Sequence, residues 1–296
     1  MPEIIKLLRI KDWAKNLFLF IPAFFAGTFF DIRNIQVLAG GFFAFSFLAS
    51  SIYIINDYRD IEDDQKHPKK SKRPLASGKV NKSTGLIVAF LLLILGAILG
   101  FLLDDSGKFL FLLCIYYTLN IGYSFGLKNI SIVDIMIVAS GFVLRVKGGG
   151  VLGRIDTSEW LTIMTFLLAL FMAIGKRRDD VILKLSTGTN MRKAIKGYTL
   201  DYLNIVLGLV CAIIIVAYIN YTVSGSLYKE FGHRLYYTSL FVIAGIMRYL
   251  QIIFVLNDSG SPTEILYKDR FIQITLLLWV ASFFVILYLK DITFFE

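Results

Sequence analysis

Ser83-Thr84-Gly85-Leu86-Ile87-Val88-Ala89-Phe90-Leu91-Leu92-Leu93-Ile94-Leu95-Gly96-Ala97-Ile98-Leu99-Gly100-Phe101-Leu102-Leu103 contains no charged side chain. At about 1.5 Å of rise per residue, a helix of that length crosses about 30 Å of hydrocarbon. Eight further apolar stretches follow the same reading, at roughly 13–30, 35–55, 108–124, 131–151, 158–175, 201–222, 235–256 and 272–290. Lipid offers no partner for backbone polar groups, so each stretch is expected to be a helix that satisfies its own. The expected fold is all-α: one polytopic domain of nine transmembrane helices over residues 1–296. The first segment follows Lys11 and Lys15 directly and lacks a small-residue cleavage site, so it reads as a retained span.

Composition agrees. Hydrophobic residues make up 56% of the 296, against about 45–50% in an average soluble domain, and mean hydropathy is +0.68. The net charge of +9 would suggest nucleic acid in a soluble protein. Here the basic residues lie between spans, so membrane topology accounts for them and no nucleic-acid partner is expected. Lys and Arg concentrate at the N-terminus (Lys6, Arg9, Lys11, Lys15), in connection 56–82 and in the connection after the sixth span. The first and third connections carry only Arg33 and Lys108, and the seventh Lys229 and Arg234. The positive-inside rule then puts the N-terminus and these loops in the cytoplasm and the C-terminus outside, in a cytoplasmic (inner) membrane. Cys114 and Cys211 fall inside apolar runs and read as buried free thiols; His67 and His233 form no ligand pattern.

Two connections carry chemistry. The first begins Asn56-Asp57-Tyr58-Arg59-Asp60-Ile61-Glu62-Asp63-Asp64. If the second helix continues through it, Asp57, Asp60 and Asp64 share one face. Three like charges repel there unless a hard cation joins them, and Mg²⁺ takes oxygen ligands shared between carboxylates and phosphates. A solvated acidic helix end is the bland alternative. The basic run His67-Pro68-Lys69-Lys70-Ser71-Lys72-Arg73-Pro74 follows. Lys69 and Lys70 read as topology signals or contacts to anionic lipid, and Lys72 and Arg73, held by Pro74, as phosphate contacts. The second connection opens Gly175-Lys176-Arg177-Arg178-Asp179-Asp180, which could bind a phosphate and a second metal or could be an ordinary loop. Asp134 and Arg145 lie eleven residues apart in the fifth span and share a face. Ionisable groups in a span point into the bundle, to bind substrate or to hold helices.

The pattern Asn56-Asp57-x-x-Asp60-x-x-x-Asp64 after the second span resembles the first signature of the UbiA superfamily of intramembrane prenyltransferases, and the resemblance covers the whole chain. It implies a helical bundle around a central cavity open to lipid. Within the superfamily the chain is most similar to the polyprenyl-phosphate (decaprenyl-phosphate) phosphoribosyltransferase branch. The stretches that carry this likeness are Lys11-Asp12-Trp13-Ala14-Lys15-Asn16, Asn56 to Pro74, Tyr123 to Lys128, Gly141-Phe142-Val143-Leu144-Arg145 and Gly175-Lys176-Arg177. The superfamily's second aspartate-rich signature is replaced by Lys176-Arg177-Arg178-Asp179-Asp180, which puts an aromatic prenyl acceptor in doubt.

The branch implies transfer of 5-phosphoribosyl from phosphoribosyl diphosphate to a polyprenyl phosphate, a step of cell-envelope biosynthesis. Asp57, Asp60 and Asp64 would be metal ligands for Mg²⁺, and with Asp180 the catalytic acids. Asn56, Lys72, Arg73, Lys176, Arg177, Lys15, Tyr123 and Lys128 would bind substrate. The alternative in the same family moves a polyprenyl group from polyprenyl diphosphate to an aromatic acceptor such as 4-hydroxybenzoate. A transporter or lipid-binding protein is the alternative from another class; no inverted repeat or midplane polar break favours it. A homo-oligomer is compatible with this sequence. On the charge asymmetry, a cysteine at Lys70 or Ser186 should react with an impermeant reagent from the cytoplasmic face only, and one at Ser226 from the outer face. Labelling of Ser186 and Ser226 from the same face would overturn the topology.

Overall fold

The computed structural model describes residues 3–66, 70–187, 193–223, 232–256 and 262–288. His67, Lys69, Arg192, Ser226, Lys229 and the His233 side chain lie outside the described residues. Among the described residues there is no strand. The helices are α1 (Glu3–Leu7), α2 (Ile21–Phe25), α3 (Ile32–Arg59), α4 (Ile61–Gln65), α5 (Lys82–Leu103), α6 (Lys108–Ser124), α7 (Val133–Gly153), α8 (Glu159–Thr187), α9 (Leu200–Val223), α10 (Ser239–Phe254), α11 (Pro262–Lys268) and α12 (Arg270–Tyr288). Among the described residues seven helices are long and apolar enough to cross a membrane: α3, α5, α7, α8, α9, α12, and α10 with the turn before it. The protein is therefore a multi-pass membrane protein.

The nine-span expectation changes at two places. The fourth stretch is a regular but short helix, α6, of 17 residues. The first is a 3₁₀ segment, Ile10–Phe20, that passes into the five-residue α2 at Pro22 and stops at Gly27, whose φ is +70°. A 3₁₀ helix aligns residues three apart. One row holds Trp13, Asn16 and Leu19 against α3. The Trp13 indole donates to Ser50 Oγ (3.0 Å), and Asn16 Nδ2 donates to Ser46 Oγ (2.9 Å). The adjacent row sets Asp12 beside Lys15 at 2.7 Å.

The chain forms two compact units, one of residues up to Lys128 with Ser140–Thr157, the other of Asn129–Ala139 with the residues from Ser158 onward. In the first unit, α3 and α5 pack closely because small residues line the contact. A Cβ on Gly96 would stand 2.6 Å from Leu48 and 3.1 Å from the Ala44 carbonyl. Phe45, Phe109, Leu113 and Leu19 are fully buried there. The opposite side of α5 exposes Ile87, Phe90, Leu91, Leu95, Ile98, Phe101 and Leu102. Such a surface is compatible with hydrocarbon, not water. Cys114 also faces outward, contrary to the sequence expectation, because α6 buries Leu113 and Tyr116 instead; Cys211 is buried as expected. In the second unit α8, α9 and α10 enclose Ile174, Leu203, Leu207, Val210 and Ile253.

Gly149 on α7 approaches the 3₁₀ segment so closely that a Cβ would stand 1.9 Å from the Leu19 carbonyl oxygen, while one on Gly208 in α9 meets nothing within 4 Å. Gly149→Ala should lower stability in detergent by about 1–3 kcal/mol through overpacking, and Gly208→Ala should cost nothing measurable. Equal denaturation midpoints for the two variants would refute the close approach.

Candidate active site

The first charged cluster lies where α3 gives way to α4. The helix ends at Arg59, Asp60 takes the joint with φ −93° and ψ 10°, and α4 restarts at Ile61. The three aspartates therefore do not lie on one continuous helix. Asp57, on the last turn of α3, and Asp64, on α4, are 3% and 2% exposed. Arg73 holds them together: its Nη1 donates to Asp57 Oδ1 at 3.0 Å and to Asp64 Oδ2 at 2.6 Å. Arg9 donates a second charged hydrogen bond to Asp57 Oδ1. It does so from a left-handed backbone conformation (φ 48°), with its guanidinium 5.1 Å above the Tyr53 ring.

Asp60 turns elsewhere. Lys128 Nζ donates to both of its oxygens (2.8 and 2.7 Å) and to Asn56 Oδ1 (3.0 Å), and Asn56 Nδ2 donates to Asp60 at 3.1 Å. The break at Asp60 thus divides the motif into an arginine-bound pair and a lysine-bound single acid. Among the described residues no three His, Cys, Asp or Glu side chains stand close enough to hold a metal ion. The donor set nevertheless suits a hard cation. Asp57, Asp60, Asp64 and the Asn56 carbonyl are all oxygen donors, the class Mg²⁺ takes. Two of the acids are buried, where a carboxylate requires a positive partner.

The second cluster lies in the other unit. Residues 175–180 are not a loop: α8 continues to Thr187, and an i,i+3 pair, Arg177 Nη1 to Asp180 Oδ2 at 2.9 Å, runs along it. Arg177 is 3% exposed and also donates through Nε to Asp134, which is wholly buried near the start of α7. The Tyr198 hydroxyl donates to the other Asp134 oxygen at 2.7 Å and accepts the Ile132 amide at 2.6 Å. Burial pushes the Tyr198 phenol up, and its bond to Asp134 adds to this, so it stays a donor. Ile132 has φ +71°, a costly conformation for a β-branched residue. Arg178 is buried too, bound to Asn204 (2.8 Å) and 5.6 Å from the Phe254 ring.

Asp134 and Arg145 share α7 but not a partner. Arg145 binds Asn16, Tyr116 and the Gly141 carbonyl. Of the other residues singled out in sequence, Lys72 and Lys176 are exposed, Tyr123 is half-buried, and Lys15 is exposed beside Asp12. Arg73 is fixed, as expected of a residue before Pro74, but onto carboxylates. Arg9, read from sequence only as a topology charge, and Tyr198 were not among the expected site residues. Arg9 stood two residues before Lys11-Asp12-Trp13, a signal that could have been used; nothing in the spacing marks Tyr198.

Membrane-crossing helices with charged side chains gathered at helix ends and within the units define a polytopic membrane protein with buried ionic clusters. The chain belongs to the UbiA prenyltransferase family, whose model matches residues 17–275. It is 35% identical to the decaprenyl-phosphate phosphoribosyltransferase of Corynebacterium glutamicum, over 96% of this chain and 86% of that one. It is 32% identical to the enzyme of the same name from Mycolicibacterium smegmatis, over 94% of this chain and 90% of that one. Among solved structures, a UbiA homolog from Archaeoglobus fulgidus bound to GPP and Mg²⁺ matches with a TM-score of 0.70 and 20% identity, covering 96% of this chain and 99% of that one.

Arg73→Gln removes the bridge between two buried carboxylates and should cost about 2 kcal/mol of stability, with Mg²⁺ restoring part of it. Lys72→Gln, at an exposed site, should stay within about 0.5 kcal/mol of wild type. Thermal denaturation with and without Mg²⁺ reads both. Equal destabilisation by the two changes would contradict the bridge.

Proposed function

We propose that this protein transfers the 5-phosphoribosyl group of phosphoribosyl diphosphate to a polyprenyl phosphate, releasing diphosphate. The observation that carries the reading is the near full-length likeness to two decaprenyl-phosphate phosphoribosyltransferases, at 35% and 32% identity. The second cluster supports it: the run Lys176-Arg177-Arg178 stands where a second run of acids would serve a prenyl diphosphate, and its exposed member, Lys176, is placed to meet a phosphate.

In this reaction a phosphate oxygen of the lipid forms a bond to ribose C1, and the bond from C1 to the diphosphate oxygen breaks, its electron pair leaving with diphosphate. The acceptor is already an anion, so no strong general base is needed. Asp57, Asp60 and Asp64, with Asn56, would hold Mg²⁺, which supplies charge neutralisation to the departing diphosphate. Arg9, Arg73 and Lys128, now on those carboxylates, would turn to phosphate oxygens as the acids are engaged. Lys72 and Lys176, both exposed, would meet the phosphates from solution. Arg177, occupied by Asp134 and Asp180, is assigned to orient Asp180. These groups would face the cytoplasm, with the N-terminus inside and the C-terminus outside.

Purified protein given Mg²⁺, labelled phosphoribosyl diphosphate and polyprenyl phosphate should form a labelled glycolipid, and chelation should abolish it. Labelled polyprenyl diphosphate with 4-hydroxybenzoate should give none. Asp60→Asn should lose at least ~100-fold in turnover while remaining folded, the scale of losing one transition-state contact. Product from the second substrate pair alone would make the protein an aromatic prenyltransferase.

A further inference from the structure

Arg145 is the buried charge that the site above does not use. It lies on α7 in the first unit and is 4% exposed. Its hydrogen-bond partners are neutral: Nε donates to Asn16 Oδ1 (2.7 Å), Nη1 to the Gly141 carbonyl (2.7 Å) and Nη2 to the Tyr116 hydroxyl (2.9 Å). Its rings are neutral as well: Tyr116 at 4.7 Å, Phe142 at 5.6 Å and Phe45 at 5.7 Å. Among the described residues no carboxylate pairs with it. An arginine cannot shed its proton to escape burial, so the charge persists in a region of low dielectric.

The cage is also ordered. Asn16 donates through Nδ2 to Ser46 (2.9 Å), and Ser46 donates to the Phe42 carbonyl (2.7 Å). The Asn16 oxygen is thereby aimed at Arg145. Three bonds leave donors to spare on a guanidinium with five N–H groups. Lys15, on the neighbouring row of the same 3₁₀ segment, has Asp12 as counter-ion and stands 6.0 Å from the Tyr53 ring. Lys15 is the residue immediately before Asn16, the side chain that binds Arg145 Nε, so both cations meet on the same 3₁₀ segment. With Lys15 balanced by Asp12, the group keeps one net positive charge.

We propose that Arg145, with Lys15, forms an anion site inside the first unit that receives the terminal phosphate of a prenyl monophosphate. A buried, oriented cation lacking a counter-ion is attractive to an anion that brings its own apolar chain, and the surrounding Phe and Tyr rings suit such a chain. The identity of the lipid rests on the phosphoribosyl-transfer reading; the anion chemistry does not.

The test is direct binding of geranyl monophosphate, geraniol and inorganic phosphate to the detergent-solubilised protein by calorimetry. Geranyl monophosphate should bind at least ~10-fold tighter than geraniol, and Arg145→Gln should weaken it at least ~10-fold, the scale of a hydrogen bond to a charged group. Affinity for phosphoribosyl diphosphate should be unchanged in this variant, and Arg145→Lys should recover part of the loss. A purely structural Arg145 would weaken both ligands together. Should Arg145→Gln fail to fold, Lys15→Gln, at an exposed position, should show the same selective weakening. Unchanged affinity in the variants, or geraniol binding as well as its phosphate, would overturn the site. Inorganic phosphate competing as strongly as geranyl monophosphate would overturn the assignment to a lipid headgroup. Selective binding without any phosphoribosyl transfer would leave the site standing and remove the reaction; transfer with unchanged affinity in Arg145→Gln would do the reverse.

Discussion

Two carboxylates sharing one guanidinium organise the first unit's charged end. Asp57 and Asp64 are almost inaccessible, and a buried carboxylate without a cation is expensive. Arg73 meets that requirement across a helix break, so the end of α3, the whole of α4 and the short turn Lys70–Lys72 beside it are fixed by one side chain. Arg9 adds the N-terminal segment to the same carboxylate. Lys128 ties the turn after α6 to Asp60, and Arg59 supports that tie through the Ser124 carbonyl (2.6 Å) and the Phe125 ring. Segments distant in sequence thus converge because acids near a membrane must be neutralised.

The second unit solves a similar problem with a chain of pairings. Tyr198, Asp134, Arg177 and Asp180 run from a buried tyrosine to a carboxylate that is 18% exposed in its side chain. Each member fixes the next, so the accessible acid inherits the rigidity of the buried end. The strained Ile132 backbone is held by the bond from its amide to Tyr198. Backbone strain of this kind persists only where surrounding contacts over-determine it.

The spans were legible because lipid imposes a length and an absence of charge, and Gly85–Leu103 shows both. Their ends were less so. Apolarity fades before a helix does, so α8 runs on through Lys176–Asp180, where an Arg177–Asp180 pair continues it. The acidic motif was legible as chemistry, but not as geometry. Spacing of three and four says nothing of a helix break at Asp60, nor of which cation each acid takes. Arg145 and Asp134 announced themselves as ionisable groups in a span; their separate partners depend on tertiary packing, which a periodicity along α7 does not encode. Cys114 failed for the same reason, since an apolar run has an outer face as well as an inner one.

The 3₁₀ geometry of Ile10–Phe20 makes that segment a three-sided rod. Successive residues turn by about 120° instead of about 100°, so every third position returns to the same edge. One edge presents Trp13, Asn16 and Leu19 to α3, and the next carries Asp12 and Lys15. An α-helix blurs a misplaced residue over neighbouring directions. On a three-sided rod, a single inserted residue would exchange one whole edge for another, moving the asparagine that steadies Arg145 and the lysine beside Tyr53 to new sides together. The segment therefore acts as a key whose teeth are cut at fixed thirds of a turn, and its length in residues is as much a part of its specification as its side chains.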